Sequence, residues 1–448
     1  MVELAHDQYA NARLVRFIFG PSTGLVFLVG DHCRQSLAGL SYFPAGKDIA
    51  LAYSVFHDAK RQRVTAHSIP VVEVRSRAER GQFIKFLWRI YKNDPAWVPP
   101  LIIERRAFLD RKRHPFYQHG EAALFLAKRN GEIVGRIMAS DDPNYNTLHQ
   151  SNVGCFGLFE SIDDVDVAAA LFDSAADWLR RRGRSEIMGP IDYSTNYVCG
   201  LLIDGFEHPP TLLTAHNPPY YARLIEACSF EKEKDWYAWW FVPTTAPLER
   251  LRPIAKARAR KHSAKIRPID LRRLTEESRR LSAVFNEAWK NNWGFVPFTE
   301  AEAEHMAKEM RPVIDPRMTL IAEVDNAPVA FVICVPDINV ALRRVNGRLT
   351  RFGLPIGLLQ LLYRRSKIRT VRFVALGVVE KYRRTGIAEM LVLQVMEEGA
   401  RRGFSGELSM TLEDNVLMNR FLEALGASKY KTYRIYRRSL NSASNSER

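Results

Sequence analysis

An internal repeat constrains the fold of this 448-residue chain more than any other feature of its sequence. Residues 91–100 read YKNDPAWVPP and residues 289–298 read WKNNWGFVPF, so a Lys-Asn pair and a Val-Pro pair recur 198 positions later. Each stretch follows apolar residues at helical spacing. Because the spacing is constant across the stretch, the sequence predicts one structural unit built twice.

The repeat extends through the rest of both halves. The stretches 123–138 and 319–333 both read as β-hairpins, and the helical stretches 170–183 and 388–403 both close on glycine. In each half the order is strand, helices, hairpin, strand, helix, strand, helix and strand. This order predicts an α/β or α+β fold with two mixed-sheet domains.

The expected domain boundaries follow from the repeat. The first domain occupies 69–243 and the second 265–439, and a basic, proline-bearing linker at 244–264 connects them. Residues 1–68 have weak periodicity, and three interpretations stay open for them: an N-terminal appendage, a translated upstream region or a further domain. The serine-rich end at 440–448 is expected to be disordered.

Charge and cysteine usage narrow the class of protein. Lys and Arg number 65 against 50 Asp and Glu, and the net charge of +15 favours an anionic partner. The five scattered cysteines form no Cys-x-x-Cys pair, which predicts a reducing compartment and no metal site. No apolar run reaches the roughly 18 residues of a membrane span, and no signal peptide is recognisable, so a cytoplasmic location is expected.

The two halves differ where a strand turns into a helix. In the second half, residues 371–392 read VRFVALGVVEKYRRTGIAEMLV, in which Arg383, Gly386 and Ala388 open a helix after a β pattern. Glycine allows close approach of a ligand to the backbone, and the first N–H groups of a helix carry partial positive charge. The turn therefore predicts a phosphate-binding site, reinforced by Arg383 and Arg384.

The matching place in the first half is acidic. Glu160, Asp163, Asp164 and Asp166 lie in or beside that turn. Carboxylates suit the start of a helix but repel a pyrophosphate. The first copy is therefore expected not to bind the cofactor.

These residues resemble a known superfamily. VVEKYRRTGIA at 378–388 resembles motif A of the GNAT acyl-CoA-dependent N-acyltransferases, whose signature is Arg/Gln-x-x-Gly-x-Gly/Ala, and NVLMNRFLEALG at 415–426 resembles motif B. The stretches NDPAWVPPL, HPFYQHGEAALFLA, CGLLIDGFEHPP, NNWGFVPFT, LEDN and YKTYRIY resemble the tandem-GNAT bacterial ceramide synthase-like family. The resemblance spans about 70–440 and implies a tandem GNAT fold with a degenerate N-terminal copy.

The resemblance also implies a CoA site and no metal. Backbone N–H groups after Arg383 are expected to hold the CoA pyrophosphate, and the strand end is expected to pair with the pantetheine arm and polarise the thioester carbonyl. Acyl-CoA or acetyl-CoA is the implied co-substrate. The residues assigned to it are Leu376, Val378, Arg383, Arg384, Thr385, Gly386, Ile387, Ala388 and Asn415.

The catalytic groups depart from the family pattern. Many GNAT enzymes carry a tyrosine in motif B to protonate the leaving thiolate, and the matching residue here is Leu422. Tyr433 lies nearby in sequence and is a candidate acid. An amine acceptor with a pKa of ~10.4 needs a base. Glu413 and Asp414 are the leading candidates for it, with N-capping as the structural alternative, and His119 is a weaker one.

Two aromatic stretches are candidate substrate contacts. Trp293 and Phe295 belong to the copy that keeps the CoA loop, and they either wall an acyl or acceptor pocket or pack in the core. Residues 192–200, DYSTNYVCG, include Tyr193 and Asn196 and either line a substrate pocket or form an ordinary loop.

Residues 338–370 have no counterpart in the first half. They contain eight basic residues and no acidic one around the apolar stretch LPIGLLQLLY. A helical insertion packed on the domain explains them. A membrane-surface element, with its apolar face in lipid and arginines on anionic headgroups, explains them as well.

The resemblance implies an acyl-CoA-dependent N-acyltransferase whose acceptor is a long-chain sphingoid base, with peripheral contact at the inner membrane face. Three alternatives remain open: a GNAT enzyme acting on a soluble amine or protein, an aminoacyl-tRNA-dependent transferase, and a non-catalytic CoA- or lipid-binding protein. The charge of +15 fits a tRNA partner, whereas the intact CoA loop argues against nucleic acid.

Overall fold

The computed structural model of the chain forms two compact units, residues 1–68 and 69–448. It describes the strand backbone at 2–5, 13–18 and 24–29, and residues 69–242, 252–253, 257 and 263–441. In the first unit, three antiparallel strands pair in the order β1-β2-β3, and their bounds are Val2–Ala5 (β1), Arg13–Ile18 (β2) and Gly24–Val29 (β3).

Thirteen strands of the second unit form one mixed sheet in the described part of the chain, which confirms the predicted α/β class. The strands from the first half are Val71–Glu73 (β4), Glu121–Arg129 (β5), Glu132–Asp141 (β6), Val153–Ser161 (β7), Glu186–Gly189 (β8), Leu201–Asp204 (β9) and Glu231–Phe241 (β10). The strands from the second half are Lys265–Pro268 (β11), Thr319–Val324 (β12), Ala327–Pro336 (β13), Thr370–Val378 (β14), Ser405–Leu412 (β15) and Ser428–Ser439 (β16).

Helices cover both faces of this sheet. Those of the first half are Arg77–Lys85 (α1), Leu87–Ile90 (α2), Ile102–Phe108 (α3), Pro143–His149 (α4), Val165–Arg180 (α5) and Tyr221–Ala227 (α6). Those of the second half are Leu274–Trp289 (α7), Glu300–Met310 (α8), Asn339–Leu342 (α9), Ile356–Arg365 (α10), Ile387–Arg401 (α11) and Val416–Ala424 (α12). Successive residues of β5 pack alternately in the cores under α5 and α1, as expected for a strand buried on both faces.

The two halves exchange their last strands. The sheet order is β11-β12-β13-β14-β15-β10-β16-β8-β7-β6-β5-β4, with β9 also paired to β16. Strand β10 ends the first half but pairs with β15 of the second, and β16 ends the second half but pairs with β8 of the first. The two expected sheets are therefore continuous, because each copy receives its last strand from the other.

Side-chain packing follows the exchange. Trp239 and Phe241 of β10 pack in the core of the second half with Ile387 and Leu391 of α11. In return, Tyr436 of β16 packs in the core of the first half. Full burial of a large apolar side chain contributes about 1.5–3 kcal/mol. The core of each half is thus completed by residues of the other.

Some predicted segments fall outside the described residues. These include most of the linker at 244–264 and the tail beyond residue 441. The insertion at 338–370 is described and contains α9 and α10. Among the described residues, none of the helices is both long enough and apolar enough to cross a bilayer.

Candidate active site

The turn between β14 and α11 leaves backbone N–H groups available at the start of the helix. A 3₁₀ turn, Glu380–Tyr382, follows β14, and Gly386 is the N-cap of α11 with φ 87°. No side chain caps this helix. Among the described hydrogen bonds, none uses the N–H of Arg384, Thr385 or Gly386. Such N–H groups at a helix start form an anion-binding site.

Arg383 ties this turn to the end of α7. Its Nη2 donates a hydrogen bond of 2.7 Å to the carbonyl oxygen of Ala288. The guanidinium has further N–H groups, and the side chain is exposed beside the free backbone N–H groups. The turn therefore combines fixed dipoles with a positive charge.

The strands β14 and β15 separate within the sheet. Their parallel register runs from Thr370↔Ser405 to Phe373↔Leu408, whereas β14 continues to Val378 and β15 to Leu412. Beyond Phe373, β14 stays paired with β13 while β15 stays paired with β10. The gap exposes one edge of β14, and a strand edge offers main-chain hydrogen-bond groups to an extended ligand.

A cavity of about 690 Å³ begins at this gap and is lined by both halves of the chain. Pockets of this size accommodate small-molecule ligands. Among the predicted site residues, those that line it are Leu376, Val378, Arg383, Ala388, Asn415, Trp293, Phe295 and Asn196. Additional lining residues from the first half include Glu104, Arg105, Phe108, Asp192, Thr195 and Trp236. The sites expected for cofactor and substrate thus share one space.

Residues 280–427 match the sequence model described as the acetyltransferase (GNAT) family. The chain is 38% identical over 365 residues to Protein YghO of Escherichia coli (strain K12), covering 80% of this chain and 92% of that protein. It is 34% identical over 384 residues to the Bacterial ceramide synthase of Caulobacter vibrioides (strain NA1000 / CB15N), covering 84% and 99%. The chain belongs to the GNAT family.

It is therefore a GNAT acyltransferase, as the resemblance implied, and enzymes of this family use a CoA thioester and an amine acceptor. Among solved structures, a tandem GNAT protein from the clavulanic acid biosynthesis pathway aligns with 84% of this chain and 99% of its own, at a TM-score of 0.49 and 13% identity.

Four turn residues of this acyltransferase do not line the cavity, and one of them, Ile387, is buried in the core of the second half. Arg384, Thr385, Gly386 and Ile387 are consecutive in the turn, and the hydroxyl of Thr385 donates a hydrogen bond of 2.6 Å to the carbonyl oxygen of Tyr382. This bond fixes the turn locally. The backbone N–H groups of Arg384, Thr385 and Gly386 have no partner among the described hydrogen bonds.

The first half of the acyltransferase holds the aromatic segment of the second. The hydroxyl of Thr195 donates to the carbonyl oxygen of Gly294, and Asn196 Nδ2 donates to that of Val296 at 3.1 Å. From α4, the ring Nε2 of His149 is 2.8 Å from the carbonyl oxygen of Phe295. The loop at 192–200 therefore both lines the cavity and positions its aromatic wall.

Tyr193 has a different place from its neighbour in that loop. It is fully buried, its hydroxyl donates a 2.8 Å hydrogen bond to the carbonyl oxygen of Phe108, and its ring stacks on Phe116 at 4.7 Å. It does not line the cavity. The structure assigns it to the core of the first half.

The structure keeps Glu413 and Asp414 out of the cavity lining. Glu413 accepts hydrogen bonds from Lys232 Nζ at 2.6 Å and from the Asp235 N–H at 3.0 Å. Asp414 accepts from Lys234 Nζ at 2.9 Å, which lowers the pKa of its carboxyl. Both carboxylates therefore bind lysines of β10 at the protein surface.

Tyr433 is also absent from the lining, whereas Leu422 is part of it. Tyr433 is buried in β16 against Leu202 and Ala238, and burial raises the pKa of its phenol. An apolar side chain therefore stands where many family members present a hydroxyl. The described cavity wall at motif B has no acid at that position.

His119 lies at the contact between the halves. Its ring nitrogens are 3.4 Å from Asp142 of the first half and 3.4 Å from Glu302 of the second. Hydrogen bonding to these two carboxylates raises its pKa to about 9. It is a charged interface residue, and it does not line the cavity.

Sequence reasoning missed the cavity carboxylates of the acyltransferase. Glu104 pairs with Arg105 at 2.6 Å, and Glu309 pairs with His305 at 3.3 Å. Asp192 has no such partner: its Oδ1 accepts the Leu158 N–H at 3.0 Å, and no described hydrogen bond reaches Oδ2. Its position at the start of the DYSTNYVCG loop was the available signal.

Burial changes the acidity of Asp192. The side chain is 7% exposed, and this burial raises its pKa to about 6, opposed mainly by the nearby Arg105. The main-chain hydrogen bond from Leu158 also favours the ionised form. The carboxylate is therefore mostly ionised at neutral pH, yet more basic than an exposed aspartate.

In the first half, the corresponding helix start is filled by its own side chain. Asp164 is the N-cap of α5, and its Oδ1 accepts the N–H groups of Asp166 and Val167 at 2.9 and 3.2 Å. Arg129 binds its other oxygen at 2.8 Å. The N–H groups that have no described partner at the helix start of the second half are thus satisfied internally in the first half.

The gap between strands of the first half is filled as well. The register of β7 with β8 ends at Cys155↔Met188, and the chain then continues alongside β7. The Ile191 N–H donates to the carbonyl oxygen of Phe156 at 2.7 Å, and Asp192 accepts from Leu158. The edge left open in β14 is thus occupied by the chain itself in β7.

Proposed function

We propose that this acyltransferase joins a long-chain acyl group from acyl-CoA to the amine of a long-chain sphingoid base. The observation that carries the proposal is the mainly apolar cavity of about 690 Å³ that opens at the β14–β15 gap. A lipid acceptor and acyl chain need such a lining, because burial of apolar chains drives their binding. The Caulobacter relative named Bacterial ceramide synthase supports the choice of acceptor.

The second half supplies the CoA site in this proposal. The free N–H groups of Arg384, Thr385 and Gly386 receive the pyrophosphate, with the Arg383 guanidinium beside them. The open edge of β14 near Leu376 and Val378 pairs with the pantetheine arm and polarises the thioester carbonyl. Each role uses a group that the protein itself leaves unpaired or exposed to the cavity.

The first half supplies the base. An ammonium acceptor must lose a proton before its nitrogen can attack. Among the three carboxylates of the described cavity lining, Glu104 is ion-paired with Arg105, and Glu309 lies 3.3 Å from the ring Nε2 of His305. Asp192 keeps one oxygen without a protein partner, so we assign it as the proton acceptor.

The proposed reaction balances without a metal. The amine nitrogen bonds to the thioester carbonyl carbon, an oxyanion forms against main-chain N–H groups, and the carbon–sulfur bond breaks. The ammonium nitrogen gives one proton to Asp192 before it attacks, and its second proton passes to the departing sulfur, so that CoA and an amide lipid leave. Because the acceptor is a lipid, we also propose a cytoplasmic protein in peripheral contact with the inner membrane face.

The test uses purified protein, a long-chain acyl-CoA and a sphinganine-like amine. We expect CoA release with formation of the amide, detected by mass spectrometry. Gly386→Glu places a carboxylate at the helix start and should lower the rate at least about 100-fold. Gly403→Glu is the matched control, because Gly403 at the other end of α11 has φ 66° and open space around its Cβ position.

The control separates backbone strain from loss of the anion site, because both substitutions force a side chain onto a left-handed backbone. Equal activity of wild type and Gly386→Glu contradicts the proposed CoA site. CoA release with a soluble amine but never with the long-chain amine contradicts the proposed acceptor.

A further inference from the structure

The insertion at 338–370 presents its apolar side chains outward. Half of the large apolar side chains that are exposed in the described part of the chain lie in this segment. Phe352 is 98% exposed, and Leu359, Leu362 and Tyr363 of α10 are between 54% and 63% exposed. Isolated exposed apolar residues are ordinary, but a contiguous group marks an interaction site.

Helix α10 explains how this group forms. Leu358, Leu359, Leu362 and Tyr363 lie at positions i, i+1, i+4 and i+5, which share one face of a helix. The opposite side holds Leu361, which packs against the cluster around Ile338, Ala341 and Ile368. The helix therefore uses one apolar side to attach to the domain and leaves another uncovered.

The charge around this face is positive and unpaired. The segment has eight basic residues and no acidic one, and none of them forms an ion pair with a carboxylate in the described part of the chain. They are Arg343, Arg344, Arg348, Arg351, Arg364, Arg365, Lys367 and Arg369. A second copy of the same surface would bring like charges together, whereas anionic lipid headgroups complement them.

The insertion is attached to elements that line the cavity. The N–H of Ile102, at the start of α3, donates to the carbonyl oxygen of Gly347 at 3.0 Å, and Trp88 Nε1 donates to Asn346 Oδ1 at 2.7 Å. Next along α3, Ile103 is 66% exposed, and the helix then lines the cavity through Glu104, Arg105 and Phe108. One short helix thus connects the exposed surface with the acceptor side of the site.

We propose that the face formed by Phe352, Leu354 and the outer side of α10 docks on an anionic lipid bilayer. The apolar side chains enter the acyl boundary while the surrounding arginines bind lipid phosphates. The bilayer is then also the source of the lipid acceptor, which reaches the cavity along α3. This last step rests on the proposed function, whereas docking itself does not.

Co-sedimentation of the full chain with vesicles tests the docking. Vesicles of phosphatidylcholine mixed with phosphatidylglycerol should bind the wild type, and pure phosphatidylcholine should bind it much less. Phe352→Ser, Leu359→Ser and Leu362→Ser combined should lower the bound fraction at least about tenfold. Leu148→Ser with Leu417→Ser is the control, because both side chains are exposed outside this face.

The outcomes discriminate between partners. Equal vesicle binding by the wild type and the triple variant overturns the proposal. So does a wild-type dimer that the triple variant converts to a monomer without any vesicle binding, since the partner is then a second copy. Circular dichroism verifies that the triple variant is folded.

Failure of the proposed function gives a different result. If the protein binds vesicles but forms an amide with no amine, the docking proposal stands and the proposed function is rejected. If both proposals hold, the triple variant loses activity on vesicle-presented amine but keeps it on the same amine in detergent micelles.

Discussion

The turns before α5 and before α11 occupy matching places in the repeat. They differ in whether the backbone N–H groups at the start of the helix have a hydrogen-bond partner. In the first half, Asp164 satisfies the N–H groups at the helix start with its own carboxylate. In the second half, Gly386 leaves them uncapped. The N–H groups at the helix start are therefore occupied by a side chain in one copy and left without a described partner in the other.

The strand gaps show the same difference. The edge of β7 is covered by the chain at Ile191 and Asp192, while the edge of β14 faces the cavity. The covering segment of the first half then continues into the loop that holds Gly294 and Val296 of the second. The first half therefore forms part of the wall of the cavity that opens at β14.

The largest expected effect tests whether the first half takes part in chemistry. Asp192→Asn should lower kcat by about 10²–10⁴-fold, the range for loss of a general base, with CoA affinity unchanged. Steady-state CoA-release assays measure kcat, and calorimetry measures CoA affinity. If the Asp192→Asn variant keeps the wild-type kcat, the first half has only a structural role.

The pH dependence of stability sharpens this test. Burial raises the pKa of Asp192 to about 6 from an ordinary value of 3.8, so the protonated form is favoured in the fold. The free energy of unfolding of the wild type therefore falls as the pH rises from 3.8 through about 6, by up to about 3 kcal/mol. Arg105, Glu104 and Arg136 act on this carboxyl. Asp192→Asn should match wild-type stability near pH 4 and exceed it at pH 8 in thermal denaturation.

A smaller effect is expected at the arginines beside the two helix starts. Arg383→Ala should weaken CoA binding by roughly tenfold, because it removes a charge beside the pyrophosphate, and the loss should shrink at high salt. Arg129→Ala, which removes the arginine beside Asp164, should leave CoA affinity unchanged. Equal losses in both variants, measured by calorimetry, contradict the division between the two copies.

The smallest effect is expected from the helix cap of the first half. Asp164→Ala removes an N-cap and should lower the free energy of unfolding by about 1 kcal/mol. Activity and CoA affinity should stay at wild-type levels. Chemical denaturation and the CoA-release assay measure the two. A change in CoA affinity places the first turn in the binding site.

The sequence predicted those features that depend on residues close together in the chain. The glycine turn after a β pattern predicts an anion site because strand, turn and helix follow one another in the chain. The positions of Leu376, Val378 and Arg383 at the cavity follow from the same continuity. The contacts of Glu413 and Asp414 could not be predicted in this way, since their lysine partners lie about 180 positions away on β10.

The sequence by itself determined the duplication, the mixed α/β class and the GNAT family, and it predicted which half keeps a phosphate-binding turn. Only the tertiary structure decided that the halves exchange β10 and β16, that one cavity is walled by both, and that Asp192 enters it. The reason is physical: periodicity and turn chemistry act between neighbours in the chain. Strand pairing between homologous copies depends instead on which edge completes a buried core, and either copy offers a similar edge.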